Sequence, residues 1–581
     1  MKTKVSARLC VNKMHISKRH ICAIALMAGL AMAWQWPART QAAESSLLSG
    51  RVTSATGEAM GGIPVRAHRE NGNMTVSVYT NGKGEYSFPE WSDLTPGAYS
   101  VAIELADYAP ARKDAVALAA GKTARADFAL QPRQPSVKDV TASDIIAGLP
   151  GTNEQKHLLI QCDNCHSLQF AFRVARTKEG WTAIIHRMAG ERAVARETPG
   201  TRAFGQKQYV EPLAEYLASV RGPGSSDDIP FKLRPRPSNE ASWHLVVTEY
   251  DLPRGGSKEV NIIRGDRRAA WPHDVLVEPN GPYVYYTDHF AFFLGRLDRR
   301  TGEIKEFPYK PLPGMGRAEM GVVSQAQERA GNPGGGAHDM AFDADGNVIF
   351  GMGGGMLRFN TKSEDFNYWP TGNNMFGLDP KGNIWYLDKG LHRLDPKTSE
   401  VKDYTVPDGT DDDTYDMEVD LQGRSVFNLF RLGKIGVYDP QTDKYTTYAT
   451  PTPGSGPRRG EVDAQGRFWT GLYWAGRVGM YDPGKREVKE YSLIPGSQPY
   501  TPPFPSPYTV SVDNKNQMVW ANDFNSSRIY RIDIKSGQSI EYFMPQPYEV
   551  RDLTVDRAAP RPTVWIPAYR PPSRMVKVQS W

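Results

Sequence analysis

Cysteine is nearly absent from this chain, with four residues among 581. Two of them, Cys10 and Cys22, lie in an N-terminal segment that we expect to be removed, which leaves Cys162 and Cys165 in the mature protein. One pair separated by two residues cannot build the disulfide framework of a small secreted domain, so that class is excluded. The pair is therefore committed to a single chemical purpose.

Long apolar runs are also scarce, and the only pronounced one is at the N-terminus. Residues Ile21–Ala33 form an apolar run behind a basic stretch that extends from Lys2 to Arg19. This run is shorter than the roughly 20 residues that a transmembrane helix needs. Small residues follow, so residues 1–42 are predicted to be a signal peptide, with an uncleaved anchor as the alternative. We expect a periplasmic or secreted protein without a stable membrane span after cleavage.

Excess charge is missing as well once the signal peptide is removed. The whole chain carries a formal charge of +5, but residues 1–42 contain seven Lys and Arg and no acidic residue. Subtracting those seven charges leaves a mature chain of about −2. No basic surface for nucleic acid is expected, and a nucleic-acid partner is excluded.

What the mature chain does contain is the sequence Cys162-Asp163-Asn164-Cys165-His166. In a C-x-x-C-H motif two thiols reach the two vinyl groups of one porphyrin, and the adjacent histidine becomes the fifth iron ligand. A thioredoxin-like C-x-x-C pair does not need that histidine, and a zinc site would need a second Cys/His pair. Together with export, the motif predicts covalent haem c on Cys162, Cys165 and His166.

Residues 137–222 around this motif are predicted to be helical. We expect one helix over Thr152–Leu168, a second beginning at Gly180 and a third over Tyr209–Val220. His157 is predicted to lie on the surface of the first helix. In the second helix one face carries Trp181, Ile184, Ile185 and Met188.

Helices around a C-x-x-C-H motif resemble the class I cytochrome c fold, in which a distal Met or His completes the iron coordination. The resemblance implies Met188 as the sixth ligand, because Met188 lies on the apolar face of its helix whereas His186 does not. His186 as the ligand and simple core packing of Met188 remain the alternatives.

Residues 47–132 read as short strands separated by turns such as Asn81-Gly82-Lys83-Gly84 and Pro96-Gly97, the pattern of a small β-sandwich. The segments Gly62-Ile63-Pro64-Val65 and Gly84-Glu85-Tyr86-Ser87-Phe88 resemble the carboxypeptidase regulatory-like family. The resemblance covers nearly all of this region. It implies an accessory module that binds or positions and does not catalyse.

Residues 243–581 contain a repeated sequence element. Copies begin at Asp343, Asp379, Asp420, Asp463 and Asp513, with degenerate copies from Glu278 and Asp556. Seven units at this spacing predict a seven-bladed β-propeller, in which a strand over His244–Leu252 supplies the outer strand of the last blade. The repeats resemble the virginiamycin B lyase (streptogramin lyase) propellers, a family that uses a His, acidic residues and a divalent cation at the central mouth.

Alignment of the repeats places three His/Asp pairs on inner positions near one axis. They are His273 with Asp274, His338 with Asp339, and His289 with Asp288. Histidine beside carboxylates suits general acid/base catalysis or a metal site, so these six residues are the predicted catalytic residues, with a divalent cation as a candidate cofactor. In the alternative interpretation each Asp caps a turn or pairs with the neighbouring blade.

The sequence as a whole predicts a mostly β, multidomain protein: a small β-sandwich, a helical cytochrome c domain and a seven-bladed β-propeller. We expect an exported haem-c oxidoreductase that binds a small-molecule substrate in the propeller and exchanges electrons with a periplasmic acceptor or donor. A covalent haem has no evident use in a lyase or hydrolase, which favours this hypothesis. The alternatives are a metal-dependent lyase with a tethered cytochrome, and a non-enzymatic binding or sensor protein whose haem reports redox state.

Overall fold

The computed structural model describes residues 46–160, 162, 167–190, 194–198, 201–256, 269–310, 337–352, 355–570 and 572–581. The predicted signal peptide and four of the five residues of the C-x-x-C-H motif lie outside them. The described chain is mostly β and multidomain, with propeller-like repeats. Among the described residues we find no helix that is long and apolar enough to cross a membrane.

The N-terminal module contains eight strands in two layers: β1 Leu48–Ser54, β2 Pro64–Arg69, β3 Met74–Tyr79, β4 Glu85–Ser87, β5 Gly97–Ile103, β6 Ala111–Leu118, β7 Ala124–Arg125 and β8 Phe128–Leu130. β1 pairs with β4, β7 and β8, while β3, β2, β5 and β6 form the opposing layer. Alternation of buried and outward residues in β1 places Leu48 and Val52 in the core between the layers.

In the part of the chain that the structure describes, five helices lie in sequence between the sandwich and the repeats: α1 Ala142–Gly148, α2 Asn153–His157, α3 Leu168–Ala171, α4 Lys178–Ala189 and α5 Lys207–Arg221. The 3-10 turns Val137–Asp139 and Glu240–Trp243 precede and follow this group, and a short helix α6 Thr410–Asp413 lies among the repeats. Thr152 caps α2 through a reciprocal bond pair with Gln155. The prediction of one helix over Thr152–Leu168 is wrong, because α2 ends at His157. The second and third predicted helices correspond to α4 and α5.

Six four-stranded antiparallel sheets follow one another along the repeats. The first two contain β10 Pro272–Val277, β11 Tyr283–Asp288, β12 Phe293–Asp298, β13 Ile304–Pro308, β14 His338–Phe342, β15 Val348–Met352, β16 Gly355–Phe359 and β17 Phe366–Trp369. The third and fourth contain β18 Phe376–Leu378, β19 Ile384–Leu387, β20 Leu391–Leu394, β21 Val401–Tyr404, β22 Thr414–Val419, β23 Ser425–Leu429, β24 Lys434–Asp439 and β25 Lys444–Ala449. The fifth and sixth contain β26 Pro457–Val462, β27 Phe468–Leu472, β28 Arg477–Asp482, β29 Glu487–Ser492, β30 Val510–Asp513, β31 Met518–Asp523, β32 Arg528–Asp533 and β33 Ser539–Phe543.

The seventh sheet joins the two ends of the repeat region. Its strands β34 Thr554–Val555, β35 Thr563–Ala568 and β36 Arg574–Ser580 are completed by β9 Leu245–Asp251, which precedes the first repeat. The outer strand predicted at His244–Leu252 is thus present. The sequence did not indicate that β9 also pairs with β3, so the seventh sheet continues into the sandwich as one eight-stranded sheet. Backbone hydrogen bonds therefore fix the sandwich to the repeats.

The helical module packs directly on the repeats. The His157 imidazole Nε2 lies 2.8 Å from the Trp474 carbonyl oxygen, and the Tyr473 hydroxyl donates to the Ile160 carbonyl oxygen at 3.5 Å. Tyr473, Trp474 and Tyr508 belong to the same buried apolar cluster as the helix residues. The prediction of a surface position for His157 is wrong: only 3% of it is exposed, because the helix that carries it is covered by the repeats.

Candidate functional site

Irregular register on the first strands of four sheets shapes the site. Pairing shifts between Pro272 and Val275 in β10, between His338 and Met340 in β14, and at the corresponding places in β22 and β26. Consecutive residues of a regular strand point to opposite faces, whereas a bulge re-aims a side chain. The bulge in β10 explains how the adjacent side chains of His273 and Asp274 contact each other.

Three histidines from the first two sheets converge. The ring centroids of His273 and His338 are 4.0 Å apart, those of His273 and His289 4.8 Å, and those of His289 and His338 4.6 Å. One ligand atom from each lies within 4.8 Å of the others. His273 and His289 are buried. The structure therefore brings together the three predicted histidines, from β10, from β14 and from the residue that follows β11.

Contacts from outside the cluster hold two of the three histidine rings. His273 Nδ1 lies 2.6 Å from an Asp274 carboxylate oxygen, and His289 Nδ1 lies 2.6 Å from the Tyr569 hydroxyl. His289 Nε2 and His338 Nε2 are 3.0 Å apart. Two buried nitrogens, His273 Nε2 and His338 Nδ1, have no hydrogen-bond partner.

Burial favours the neutral form of two of these imidazoles, those of His273 and His338. It lowers the pKa of His273 to about 4, although the Asp274 carboxylate acts in the opposite direction. Burial and the neighbouring His273 lower the pKa of His338 well below its ordinary value. Neutral imidazoles offer nitrogen lone pairs, which can accept a proton or bind a cation.

Arg459 from β26 organises the carboxylates beside the histidines. Its guanidinium forms an ion pair with Asp274 and lies 3.6 Å from Asp339 and 3.7 Å from Asp552. Burial raises the pKa of Asp274, but the charge of Arg459 and the contact with His273 together outweigh it and lower that pKa below its usual range. Burial raises the pKa of Asp552 to about 7 and that of Asp416 to about 6. Asp274 is thus the carboxylate that Arg459 keeps ionised most firmly.

The other acids hold neighbouring sheets together. The Asp552 carboxylate accepts the backbone N–H of Val275 at 2.9 Å, and Asp416 accepts that of Gly460 at 3.0 Å. Asp339 accepts the N–H of Phe376 at 3.3 Å. For these three residues the structure supports the alternative interpretation, in which an Asp pairs with the neighbouring repeat, and Asp339 contacts Arg459 as well.

The Asp288 carboxylate contacts a backbone turn and an arginine and not the histidine rings. Its carboxylate accepts the backbone N–H groups of Phe290 at 3.0 Å and Ala291 at 2.9 Å, and it pairs with Arg254 at 2.7 Å. These contacts shape the turn after β11, which carries His289. In the structure Asp288 positions this turn, and its catalytic role stays a prediction.

A buried arginine beside the site was missed by the sequence reasoning. Arg458 is 4% exposed, and its guanidinium carbon lies 3.7, 4.3 and 4.5 Å from the ring centroids of Tyr508, Tyr473 and Tyr415. Its Nε and Nη1 have no hydrogen-bond partner, and none of the described carboxylates forms an ion pair with it. The signal was available as Arg458-Arg459 on a first strand, but only the fold shows the three tyrosines around it.

This aromatic cluster connects the histidines with the helical module. The Tyr508 ring centroid lies 6.2 Å from that of His273 and 6.4 Å from that of Tyr473. Cys162 is partly buried and packs against the same apolar cluster. Cys165 and His166 lie outside the described residues. Met188 and His186 on α4 are both partly buried, so burial does not distinguish the two candidate ligands and Met188 stays a prediction.

Comparison with known proteins agrees with the modular architecture. Residues 48–131 match the carboxypeptidase regulatory-like domain family, which confirms the prediction for the N-terminal module. A search of curated proteins finds no match. Among solved structures, a streptogramin B lyase has a TM-score of 0.45 at 18% identity, covering 59% of this chain and 100% of its own.

Two further solved structures have similar TM-scores, sequence identities and coverage. A virginiamycin B lyase from Staphylococcus aureus has a TM-score of 0.45 at 16% identity and covers 58% of this chain and 100% of its own. The WD40 repeats of RRP9 have a TM-score of 0.41 at 12% identity and cover 54% of this chain and 95% of their own. These similarities concern fold alone.

Proposed function

We propose that this protein is an exported haem-c oxidoreductase in which a seven-bladed propeller binds a small organic substrate and the helical module carries the haem. The proposal rests on the single buried apolar cluster that the helical module and the repeats share. Cys162, the first residue of the C-x-x-C-H motif, packs on the same buried cluster as Tyr473 and Tyr508, which lie beside the three histidines. A redox motif and a buried polar site are thereby joined within one packed body.

The described residues around the motif suit a haem. Cys162 packs against the apolar core that the helices supply, which includes Leu159, Ile160, Trp181 and Ile185. Cys162 and Cys165 would hold the haem, with His166 and Met188 as iron ligands, and the haem would supply one-electron chemistry. The ring spacings of His273, Tyr508 and Tyr473 support electron passage between the histidine site and this module.

The histidine site supports substrate binding and activation. Its neutral imidazoles can take a proton or hold a cation, and Asp274 orients His273. Arg458 adds a buried positive charge with unpartnered N–H groups, and burial of such a charge is costly unless an anion or a carbonyl group meets it. We therefore expect a substrate that carries a carboxylate or another acceptor group, with a periplasmic protein as the electron partner.

Covalent haem is the first test. The full chain is expressed with haem-attachment machinery, exported, and run on a denaturing gel that is stained for haem. The wild type should stain, and its absorption spectrum should change with dithionite. The Cys162→Ala/Cys165→Ala double variant should not stain, because both thioether bonds are lost. A wild type that does not stain, or a double variant that still stains, contradicts the assignment.

A lyase is the second candidate, and the His273–Asp274 pair favours it. An oriented neutral imidazole can abstract a proton without any electron acceptor. The two functions differ in their products: a lyase gives an eliminated product of unchanged overall oxidation state, with the haem spectrum constant during turnover. An oxidoreductase changes the haem spectrum when substrate is added.

A further inference from the structure

We infer that His273, His289 and His338 form a binding site for a single divalent first-row transition-metal ion of the zinc or copper type. The inference deepens the proposed function, because it names what the histidine site holds and leaves a coordination position for substrate. It depends on the geometry of three imidazoles and their supporting contacts.

The spacing of the nitrogens suits one metal ion. Zinc–imidazole bonds are about 2.0–2.1 Å long, so two ligands of one tetrahedral or octahedral ion lie roughly 2.9–3.4 Å apart. His289 Nε2 and His338 Nε2 are 3.0 Å apart. The third imidazole, His273, stands with its ring centroid 4.0 Å from that of His338. One ligand nitrogen from each of the three rings lies within 4.8 Å of the others, so a small inward movement of His273 would place all three around one ion.

The supporting contacts give the nitrogens the correct roles. A metal-binding histidine commonly donates its other N–H to a carboxylate or another acceptor, which fixes the tautomer and raises ligand basicity. His273 Nδ1 has that contact with Asp274 at 2.6 Å, which leaves the lone pair on the buried, unpartnered Nε2. The Tyr569 hydroxyl holds Nδ1 of His289 at 2.6 Å. Two of the three rings are thus oriented from outside the cluster.

The donor set selects the class of ion. Imidazole nitrogen suits Zn, Cu and Ni, whereas Mg²⁺ and Ca²⁺ prefer oxygen ligands. Three protein ligands with a further position for water or substrate are typical of catalytic zinc sites. The nearby carboxylate of Asp274 pairs with Arg459, so it acts on the ion through His273 and not as a direct ligand.

Metal loading of the full chain tests the inference. The protein is stripped with a chelator, reloaded with Zn²⁺, dialysed, and analysed for zinc per chain; zinc-edge X-ray absorption then gives the ligands without interference from haem iron. We expect one zinc per chain with three nitrogen ligands at about 2.0–2.1 Å. His273→Ala, His289→Ala and His338→Ala should each lose the stoichiometric zinc. His392→Ala should keep it, because His392 contacts Asp403 far along the chain from the cluster.

A milder variant keeps the test valid if the alanine variants do not fold. Asp274→Asn retains all three ligands and should bind zinc about 10–100-fold more weakly. Zinc binding that is unaffected by every cluster variant, or a site that takes Mg²⁺ in preference to Zn²⁺, overturns the inference. The outcome is separate from that of the haem stain: zinc binding without covalent haem would sustain this site and defeat the proposed oxidoreductase.

Discussion

One position of the repeat is used in two different ways. In the fourth and seventh sheets an Asp on or beside the first strand, Asp416 or Asp552, accepts a backbone N–H of the next sheet. In the first sheet Asp274 instead contacts the His273 imidazole and the Arg459 guanidinium. The comparison shows that the repeat places a carboxylate near the axis, where it can either accept a backbone N–H of the next sheet or support the histidine site. Asp339, which also follows a histidine, accepts the N–H of Phe376, so an adjacent histidine alone does not decide the role.

Arg459 contacts both Asp274 of the histidine site and Asp552, which joins two sheets, so its removal should cause the largest loss of stability. Arg459→Met leaves the buried carboxylates of Asp274 and Asp552 without their cation, and loss of one partner of a buried pair costs about 3–5 kcal/mol. The urea unfolding transition of the repeats measures this loss. Lys485→Met is the control, because its ion pair with Glu487 is exposed at both ends and should cost less than about 1 kcal/mol. Equal losses in the two variants would contradict the account.

Variants of Asp552 test whether a carboxylate that joins two sheets affects stability without affecting the histidine site. Asp552→Ala leaves the buried N–H of Val275 without an acceptor, which should lower the free energy of unfolding by about 1–3 kcal/mol. Asp552→Asn keeps an acceptor oxygen and should recover most of that loss. Both variants should bind zinc as the wild type does. If Asp552→Ala abolished zinc binding while Asp274→Asn left it unchanged, the assignment of roles would be reversed.

His157 extends the comparison to a histidine with a purely structural contact. Burial lowers its pKa to about 3, and the charge of Arg202 acts in the same direction. Between about pH 6.5 and pH 3 the unfolded chain therefore binds a proton at His157 that the folded chain does not. The contribution of buried His157 to the free energy of unfolding is complete above about pH 6.5 and is lost as pH falls toward 3. The advantage of the wild type over His157→Gln should shrink by up to about 1.4 kcal/mol per pH unit below pH 6.5. Urea titrations at pH 7.5, 5.5 and 4.5 measure it, and a constant or widening difference would contradict the burial argument.

The sequence predicted the parts of this molecule that depend on local pattern. Copies such as those at Asp420 and Asp463 identify the repeats, because each copy contains the same turn between its first two strands. The alignment of the repeats also predicted that His273 and His338 occupy equivalent positions near one axis, and their ring centroids are 4.0 Å apart. The strand closing the seventh sheet was found by elimination, since one outer strand was missing at the C-terminus.

Contacts between distant segments were beyond sequence reasoning. The pairing of β9 with β3 joins residues about 170 positions apart and has no local signal. His157 was predicted as a surface residue of its helix, and contacts with Trp474 and Tyr500 of the repeats bury it. Asp288 was grouped with the histidines by its neighbour in sequence, although its carboxylate binds Arg254 and the following turn.

The central claim is that the haem and the histidine site are two interacting centres of one protein, and the reduction potential of the haem tests it most directly. Zn²⁺ at the three histidines adds positive charge within the same packed body, which should favour the reduced haem and raise its potential. Redox titration with the site stripped and zinc-loaded measures the shift. We predict a more positive potential on loading in the wild type and no change in His273→Ala; an unchanged wild-type potential would contradict the claim.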